Sequence, residues 1–178
     1  MDIDNTHFAL FGLNERYALD AGALERAYRE VQTQVHPDRF ANRGATEQRV
    51  ALQWATRANE AYRVLRDPLK RAIYLCTLRG QDPADEHNTT MARPFLIQQL
   101  EWRESLDDAR AASDPAAIDA LRGQLDARRE ALRGEVEQAL DRDGDADLAA
   151  ERVRQWMFVE RFAEDVASAA ERVHSAAH

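Results

Sequence analysis

The sequence has little of what disulfide-rich, metal-binding and strand-forming proteins contain. Its 178 residues include one cysteine, seven glycines and five prolines, and strand-like alternation of Val, Ile and Thr is missing. The single thiol, Cys76, excludes an internal disulfide and cannot alone hold a zinc ion or an iron–sulfur cluster. It lies in the apolar run 72–76, so we expect it to be a small buried side chain. This composition favours an all-helical protein.

Long hydrophobic runs are also missing. No apolar stretch approaches the ~20 residues of a membrane-spanning helix, and the N-terminal segment does not resemble a signal peptide. We therefore expect a cytoplasmic protein.

Clustered positive charge is missing from the C-terminal half. Residues 1–80 hold 12 basic and 10 acidic side chains, whereas residues 81–178 hold 12 basic and 22 acidic ones. Because phosphate contacts need clustered cations, the acidic half argues against a nucleic-acid partner. It is compatible with a protein partner that carries basic patches.

Helical periodicity is the pattern that is present in the N-terminal part. Asp20 and Thr46 are predicted N-caps, and Asp67-Pro68 predicts a helix start with Asp as the cap and Pro at the first position. Gly80 is expected to end the last of these helices. The predicted helices span residues 6–13, 20–36, 46–66 and 68–80.

The tripeptide His36-Pro37-Asp38 falls between two of these helices. Pro37 ends the first helix, because it lacks an N–H and disfavours helical geometry at the residue before it. A polar loop, 39–44, follows. Two antiparallel helices with His-Pro-Asp at the start of their connection resemble a J-domain, the module that triggers ATP hydrolysis in DnaK-class chaperones. The alternative is a proline that merely ends a helix beside polar loop residues.

An enzyme would have to use His36 and Asp38 as acid and base or as metal ligands. The sequence has no nucleophile elbow, glycine-rich phosphate loop or HExxH motif to support a small helical hydrolase. The acidic run 141–147 also fails as an EF-hand, since Ala146 and Arg152 stand where Gly and Glu are required. We expect an acidic turn there. His174 and His178 are four residues apart at the C-terminus and have no third ligand in sequence reach.

The rest of the chain is predicted to form three more helices. Residues 81–93 are mostly polar, follow Gly80, contain Pro83 and show no apolar periodicity, so they are predicted to be a linker. Helical patterns follow from 94 to 112, from 115 to 140 and from about 148 to 173, and their short connections fit an antiparallel bundle. The predicted fold is all-α, with a J-domain at 1–80 and a three-helix bundle at 94–178.

The segment 95–108 is apolar over more than one helix face. Leu96 and Leu100 align with either Ile97 or Glu104, and Glu101, Glu104 and Asp108 form an acidic strip beside them. One interpretation is that every large apolar residue of this segment packs in the bundle core. The other is that some of them form a binding surface.

Nearly the whole chain resembles the HscB family, the co-chaperones of iron–sulfur cluster assembly. The resemblance rests on Leu10-Phe11-Gly12-Leu13, His36-Pro37-Asp38 with Phe40, Asn59-Glu60-Ala61-Tyr62 with Leu65, Asp67-Pro68-Leu69 with Arg71-Ala72 and Tyr74-Leu75, Phe95-Leu96, Gln99-Leu100-Glu101, and Arg103-Glu104 with Leu106-Asp107. The opening motif and the Gln-Leu-Glu run separate this family from general J-proteins. A general J-domain co-chaperone for another client is the alternative.

The resemblance implies two partners, a DnaK-class chaperone, HscA, and a cluster scaffold, IscU. It implies no enzyme activity, no cofactor and no metal, since the zinc-binding cysteines of eukaryotic relatives are missing; we expect a monomer. The chaperone-binding residues would be His36, Pro37, Asp38 and Arg39, with Arg26 and Arg29 as candidates for electrostatic steering. The scaffold-binding residues would be Leu96, Ile97, Leu100, Glu101, Glu104, Asp108 and Phe158.

Three positions depart from the pattern of the family. Arg39 stands in place of the usual Lys, Ile97 in place of a common Met, and Trp102 in place of an aliphatic residue.

Overall fold

The computed structural model describes residues 5–35, 37–40, 44–85 and 91–176, and all the regular structure in these ranges is helical. The predicted all-α class is confirmed. The chain divides into two compact units, Met1–Leu75 and Cys76–His178.

The first unit is a helical hairpin with a short N-terminal helix. Helices α2 and α3 pack against each other, and α1 packs on α3. The last helix, α4, continues into the second unit. The elements are α1 (His7–Leu10), α2 (Ala21–Val35), a 3-10 turn (Pro37–Phe40), α3 (Ala45–Arg66) and α4 (Pro68–Leu78).

Two of the three predicted caps of these helices are confirmed. The Asp20 Oδ1 atom accepts the Gly22 N–H at 2.8 Å. Asp67 Oδ1 accepts two backbone N–H groups of the first turn of α4, at 2.9 and 3.0 Å. The Thr46 cap is wrong, because α3 begins at Ala45 and Gly44 is its N-cap. The Glu47 carboxylate accepts the Gly44 N–H at 3.3 Å, which fixes the helix start before Thr46.

Side chains from all four helices form the core of this unit. Tyr28 on α2 stacks on Tyr62 on α3 with ring centroids 4.2 Å apart. The Tyr28 hydroxyl also donates to Asn59 Oδ1 at 2.8 Å, which joins the hairpin at its polar edge. The most deeply buried core residues are Phe8, Leu24, Ala58, Ala61, Leu65 and Leu75.

Two local predictions for this unit are wrong. Helix α1 ends at Leu10 rather than near Leu13, and Gly12 takes a φ of 63°, which glycine adopts without a steric penalty. Arg39 and Phe40, predicted as loop, belong to the 3-10 turn. His36 and residues 41–43 lie outside the described residues.

The second unit contains three long helices in sequence. Asp114 caps α6 by accepting the N–H groups of Ala116 and Ala117 at 2.9 and 3.1 Å, and Pro115 is the first helical residue. Helices α6 and α7 pack along each other, and α5 packs on both. The elements are α5 (Arg93–Ala111), α6 (Pro115–Glu137), a π-helical turn (Gln138–Asp143) and α7 (Ala146–Ala176).

The connection between α6 and α7 differs from the prediction of a continuous α-helix to residue 140. Gln138–Asp143 forms a π-helical turn, in which each turn holds more residues than in an α-helix. This geometry keeps both Ala139 and Leu140 buried. Gly144 then adopts a φ of 68°, and Asp145 starts α7 by accepting the Leu148 N–H at 2.9 Å.

Candidate functional site

The His-Pro-Asp tripeptide lies at the end of α2. His36 is outside the described residues, and Pro37–Phe40 forms the 3-10 turn that follows. The Arg39 Nη1 atom donates to the Thr33 carbonyl at 2.9 Å, which holds this cation at the C-terminal end of α2. A positive charge there complements the helix dipole.

The two other arginines predicted for chaperone steering lie on α2 and are exposed. Arg26 lies 3.8 Å from Asp20, and Arg29 forms an ion pair with Glu25 on the same helix. Such exposed pairs contribute little to stability. Their carboxylates nevertheless lower the net positive charge that α2 presents to a partner.

Helix α5 has one buried face and apolar residues that remain exposed. Leu96, Ile97 and Leu100 are 49%, 50% and 58% exposed. The interpretation that all large apolar residues of this segment are core is therefore wrong. The buried face consists of Phe95, Trp102, Leu106 and Ala109.

The exposed residues of α5 fall on two sides of the helix. Because positions four and seven apart share a side, one group, here called the leucine side, comprises Leu96, Leu100 and Arg103. The other group, the isoleucine side, comprises Ile97, Glu101 and Asp108.

The acidic residues of α5 are available to a partner. Glu101, Glu104 and Asp108 are exposed, and the part of the chain that the structure describes holds no ion pair to any of them. The neighbouring Asp107 instead lies 3.6 Å from Arg110. Uncompensated carboxylates next to apolar side chains suit a partner with basic and apolar residues.

Phe158 on α7 is half-buried and belongs to an aromatic cluster. Its ring centroid lies 5.8 Å from those of Phe95 and Phe162 and 6.5 Å from that of Trp102. The Arg103 guanidinium lies over the Phe158 ring, 5.6 Å from its centroid. Phe158 therefore adjoins the leucine side of α5, and part of its ring packs in the core.

Arg103 is the residue of this surface that sequence reasoning missed as a site residue. Its spacing of seven from Leu96 places it on the leucine side, and this signal was available in the sequence. Its guanidinium forms a cation–π contact with Phe158, so a partner that reaches the ring must displace or contact Arg103.

The described residues offer no evident place for a metal. No three His, Cys, Asp or Glu side chains among them are grouped so that they could hold a metal ion. Burial raises the pKa of the Cys76 thiol to about 11, against smaller opposing effects of the Arg79 and Arg154 charges. The expectation of a buried apolar cysteine is confirmed.

The part of the chain that carries the tripeptide and the part that carries α5 each match a known protein family. Residues 6–74 match the DnaJ domain family, and residues 91–167 match the family described as the HSCB C-terminal oligomerisation domain. A Burkholderia multivorans protein named co-chaperone protein HscB homolog is 53% identical over 175 residues, which cover 98% of this chain and 99% of that protein. The chain belongs to the HscB family of co-chaperones.

Other HscB proteins cover the chain equally well. The Ralstonia nicotianae homolog is 54% identical and covers 95% of this chain and 96% of its own. The structure of HscB from Vibrio cholerae superposes with a TM-score of 0.79 at 30% identity, covering 95% of this chain and 99% of that one. The human HscB crystal structure gives a TM-score of 0.81 at 28% identity, covering 94% and 83%.

The structure shows the surroundings of two positions, Trp102 and Ile97, at which this chain departs from the pattern of the HscB family. Trp102 is 3% exposed and stacks near Phe162 with ring centroids 6.4 Å apart, so its extra volume fills the bundle core. Ile97 is on the surface, where its branched side chain replaces a flexible one.

In the described part of this HscB family member, no helix is long and apolar enough to cross a membrane.

Proposed function

We propose that this HscB family member brings an IscU-type cluster scaffold to a DnaK-class chaperone, HscA, and stimulates ATP hydrolysis by that chaperone. It makes and breaks no covalent bond itself, and it acts in the cytoplasm.

The observation that supports binding of the scaffold is the exposed apolar surface of α5. Leu96, Ile97 and Leu100 are 49–58% exposed on one helix of a domain that matches the HscB C-terminal family. Soluble proteins seldom leave contiguous large apolar side chains in water unless a partner covers them. The exposed carboxylates of Glu101, Glu104 and Asp108 would select a partner with basic residues around an apolar centre.

The proposal that this chain stimulates a chaperone is supported by the DnaJ domain match and by the His-Pro-Asp tripeptide, which follows α2 in the sequence. His36, Pro37 and Asp38 would dock on the chaperone, and Arg26, Arg29 and Arg39 would steer the approach. A partner shifts a conformational equilibrium only if it binds one state better than the other. The J-domain would therefore favour the state of the chaperone that hydrolyses ATP.

The two surfaces belong to one chain, so a scaffold held by α5 is kept near the chaperone held by the J-domain. Such tethering raises the effective concentration of the scaffold at the chaperone without any new contact.

The test uses three purified proteins, namely the full chain, an IscU-type scaffold and an HscA-type chaperone. Calorimetry should show binding of the scaffold, and single-turnover assays should show faster ATP hydrolysis by the chaperone. The full chain alone should hydrolyse no ATP. If the chain stimulates a DnaK-class chaperone but captures unfolded clients and not the scaffold, it is a general J-domain co-chaperone and the proposed function is wrong.

A further inference from the structure

A groove lies along the isoleucine side of α5, between this helix and the pair α6 and α7. Its volume is about 660 Å³, which is within the ~300–1,000 Å³ that ligand-binding sites occupy. The α5 segment supplies an apolar wall to this groove, made of Ala92, Pro94, Phe95 and Ile97.

The opposite wall is a hydrogen-bonded network of charged and polar side chains. Arg128 donates to Glu135 at 2.6 Å and to Gln155 at 2.8 Å, and Arg152 donates to the second Glu135 oxygen at 2.8 Å. Gln155 is 1% exposed, so the network is anchored in the bundle. These mutual contacts hold the wall in place without a ligand.

The network leaves some hydrogen-bonding capacity for an occupant. A guanidinium has five N–H donors, and the partners of Arg152 among the described residues engage only its Nε and Nη1 atoms. Arg128 and Arg152 are both partly exposed in the groove wall. Their remaining N–H groups can donate to the carbonyl groups of an extended peptide backbone.

The rim of the groove is negative. Glu101 lines the groove and, among the described residues, has no ion-pair partner, whereas both oxygens of Glu135 are already engaged by arginines. A basic side chain of an occupant would therefore be placed at Glu101. An apolar side chain would pack against Pro94 and Ile97.

We infer that this groove is a second subsite for the scaffold and takes an extended segment that carries one apolar and one basic side chain. The inference rests on the proposed function. Ile97 and Glu101 belong both to the proposed scaffold surface and to the groove. A scaffold seated on the leucine side would need to reach only across α5, about 10–12 Å including side chains.

The steric test fills the groove and leaves the leucine side unchanged. Gln98 lines the groove, is partly exposed and faces away from the leucine side, because it is two positions from both Leu96 and Leu100. Gln98→Trp therefore places a large ring in the groove, and Gln53→Trp makes the same change at an exposed position of α3. Calorimetry with the purified scaffold should show an affinity loss of about tenfold or more for Gln98→Trp, and little change for Gln53→Trp. Circular dichroism should show that both variants remain helical with melting temperatures near that of the wild type.

The charge test compares two single carboxylate removals. Glu101→Gln should weaken scaffold binding more than Glu104→Gln, because only Glu101 lines the groove. Equal losses of scaffold affinity in the two variants would show that the occupant does not place a basic side chain at Glu101. Unchanged scaffold affinity in a folded Gln98→Trp protein would overturn the subsite itself.

These failures differ from a failure of the proposed function. If wild-type protein does not bind the scaffold, both the function and the subsite are wrong. If Leu96→Ala/Leu100→Ala abolishes binding and Gln98→Trp does not weaken it, the function stands and only the subsite is overturned.

Discussion

The imidazole of His7 is held in a position that disfavours its protonated form. It stacks on Tyr74 with ring centroids 4.2 Å apart, and its own backbone N–H donates to the Tyr74 hydroxyl at 2.9 Å. The Nδ1 atom is buried and has no hydrogen-bond partner among the described residues. Burial lowers the pKa of His7 below 6.5 and the charge of Arg57 lowers it further, while Glu60 opposes them.

This lowered pKa predicts a loss of stability in mild acid. Below pH 6.5 the unfolded chain takes up the His7 proton more readily than the folded chain, so the free energy of unfolding falls as the pH decreases from about 6.5 toward the folded pKa. His7→Phe keeps an aromatic ring on Tyr74 and should remove this part of the pH dependence. Urea unfolding of both proteins at two pH values, one on each side of 6.5, provides the measurement. The same loss of stability in both proteins would show that His7 makes no contribution.

His36 is the residue on which the proposed chaperone activity depends most. His36→Gln is expected to abolish stimulation of the chaperone ATPase in a single-turnover assay. The sequence shows no apolar pattern around His36, and surface substitutions usually change stability by no more than about 0.5 kcal/mol, so we expect the melting temperature hardly to change. Wild-type stimulation by the variant would mean that the J-domain mechanism is wrong for this chain.

At the scale of a helix, α5 combines a core face with the proposed binding surface, and substitutions should separate the two. Leu96→Ala/Leu100→Ala removes exposed side chains and should weaken scaffold binding by at least about tenfold while the bundle stays folded. Leu106→Ala, at a buried position of the same helix, should instead cost about 2–5 kcal/mol of stability. Calorimetry and thermal unfolding on each variant distinguish these outcomes.

Phe158 needs its own measurement, because its ring packs on Phe95 and Phe162. Adding Phe158→Ala to the leucine substitutions should lower both affinity and melting temperature. Leu52→Ala, which removes a leucine that is 59% exposed on α3, is the matched control and should leave scaffold binding unchanged. If the leucine pair alone unfolds the bundle, the assignment of these residues to a binding surface is wrong.

The helices could be predicted where a local signal fixes them. Asp20 and Asp67 start helices as predicted, since an Asp side chain satisfies backbone N–H groups within its own turn. The start of α3 was missed because Glu47 stabilises Gly44 as the cap. The π-helical turn was also missed, because it depends on how the bundle buries Ala139 and Leu140.

At the scale of the whole molecule, the electrostatic attraction to the chaperone should be sensitive to salt. Stimulation at a fixed, subsaturating protein concentration is expected to fall as ionic strength rises from about 0.05 to 0.3 M, since the Debye length shortens to well under 10 Å. Replacing Arg26, Arg29 and Arg39 together with Gln should flatten this dependence. An apolar interface would instead keep or increase its affinity as salt is added.

The ion pairs on α2 provide a matched control for the salt experiment. Glu25→Gln removes the carboxylate partner of Arg29, so it should increase stimulation at low salt. A decrease would show that Glu25 itself contacts the chaperone or that Arg29 takes no part in steering.

The sequence identified the surfaces of the molecule only in part. The surplus of apolar residues in 95–108 left two interpretations, a core helix or a helix with a binding surface, and the exposure of Leu96, Ile97 and Leu100 agrees with the second. The division of α5 into two sides was implicit in the spacing of its residues. The groove could not be predicted, because Arg128 and Arg152 are far from α5 in sequence and meet it only after the bundle has folded.

The buried Cys76 makes this chain a convenient host for chemical labelling. Maleimides and iodoacetamides react with the thiolate, and a fully buried thiol with a pKa of about 11 is almost entirely protonated at neutral pH. A second cysteine introduced at an exposed position, such as Ser105 on α5, would therefore be modified selectively without first replacing Cys76. A fluorophore attached there would report the arrival of a partner at the helix in real time.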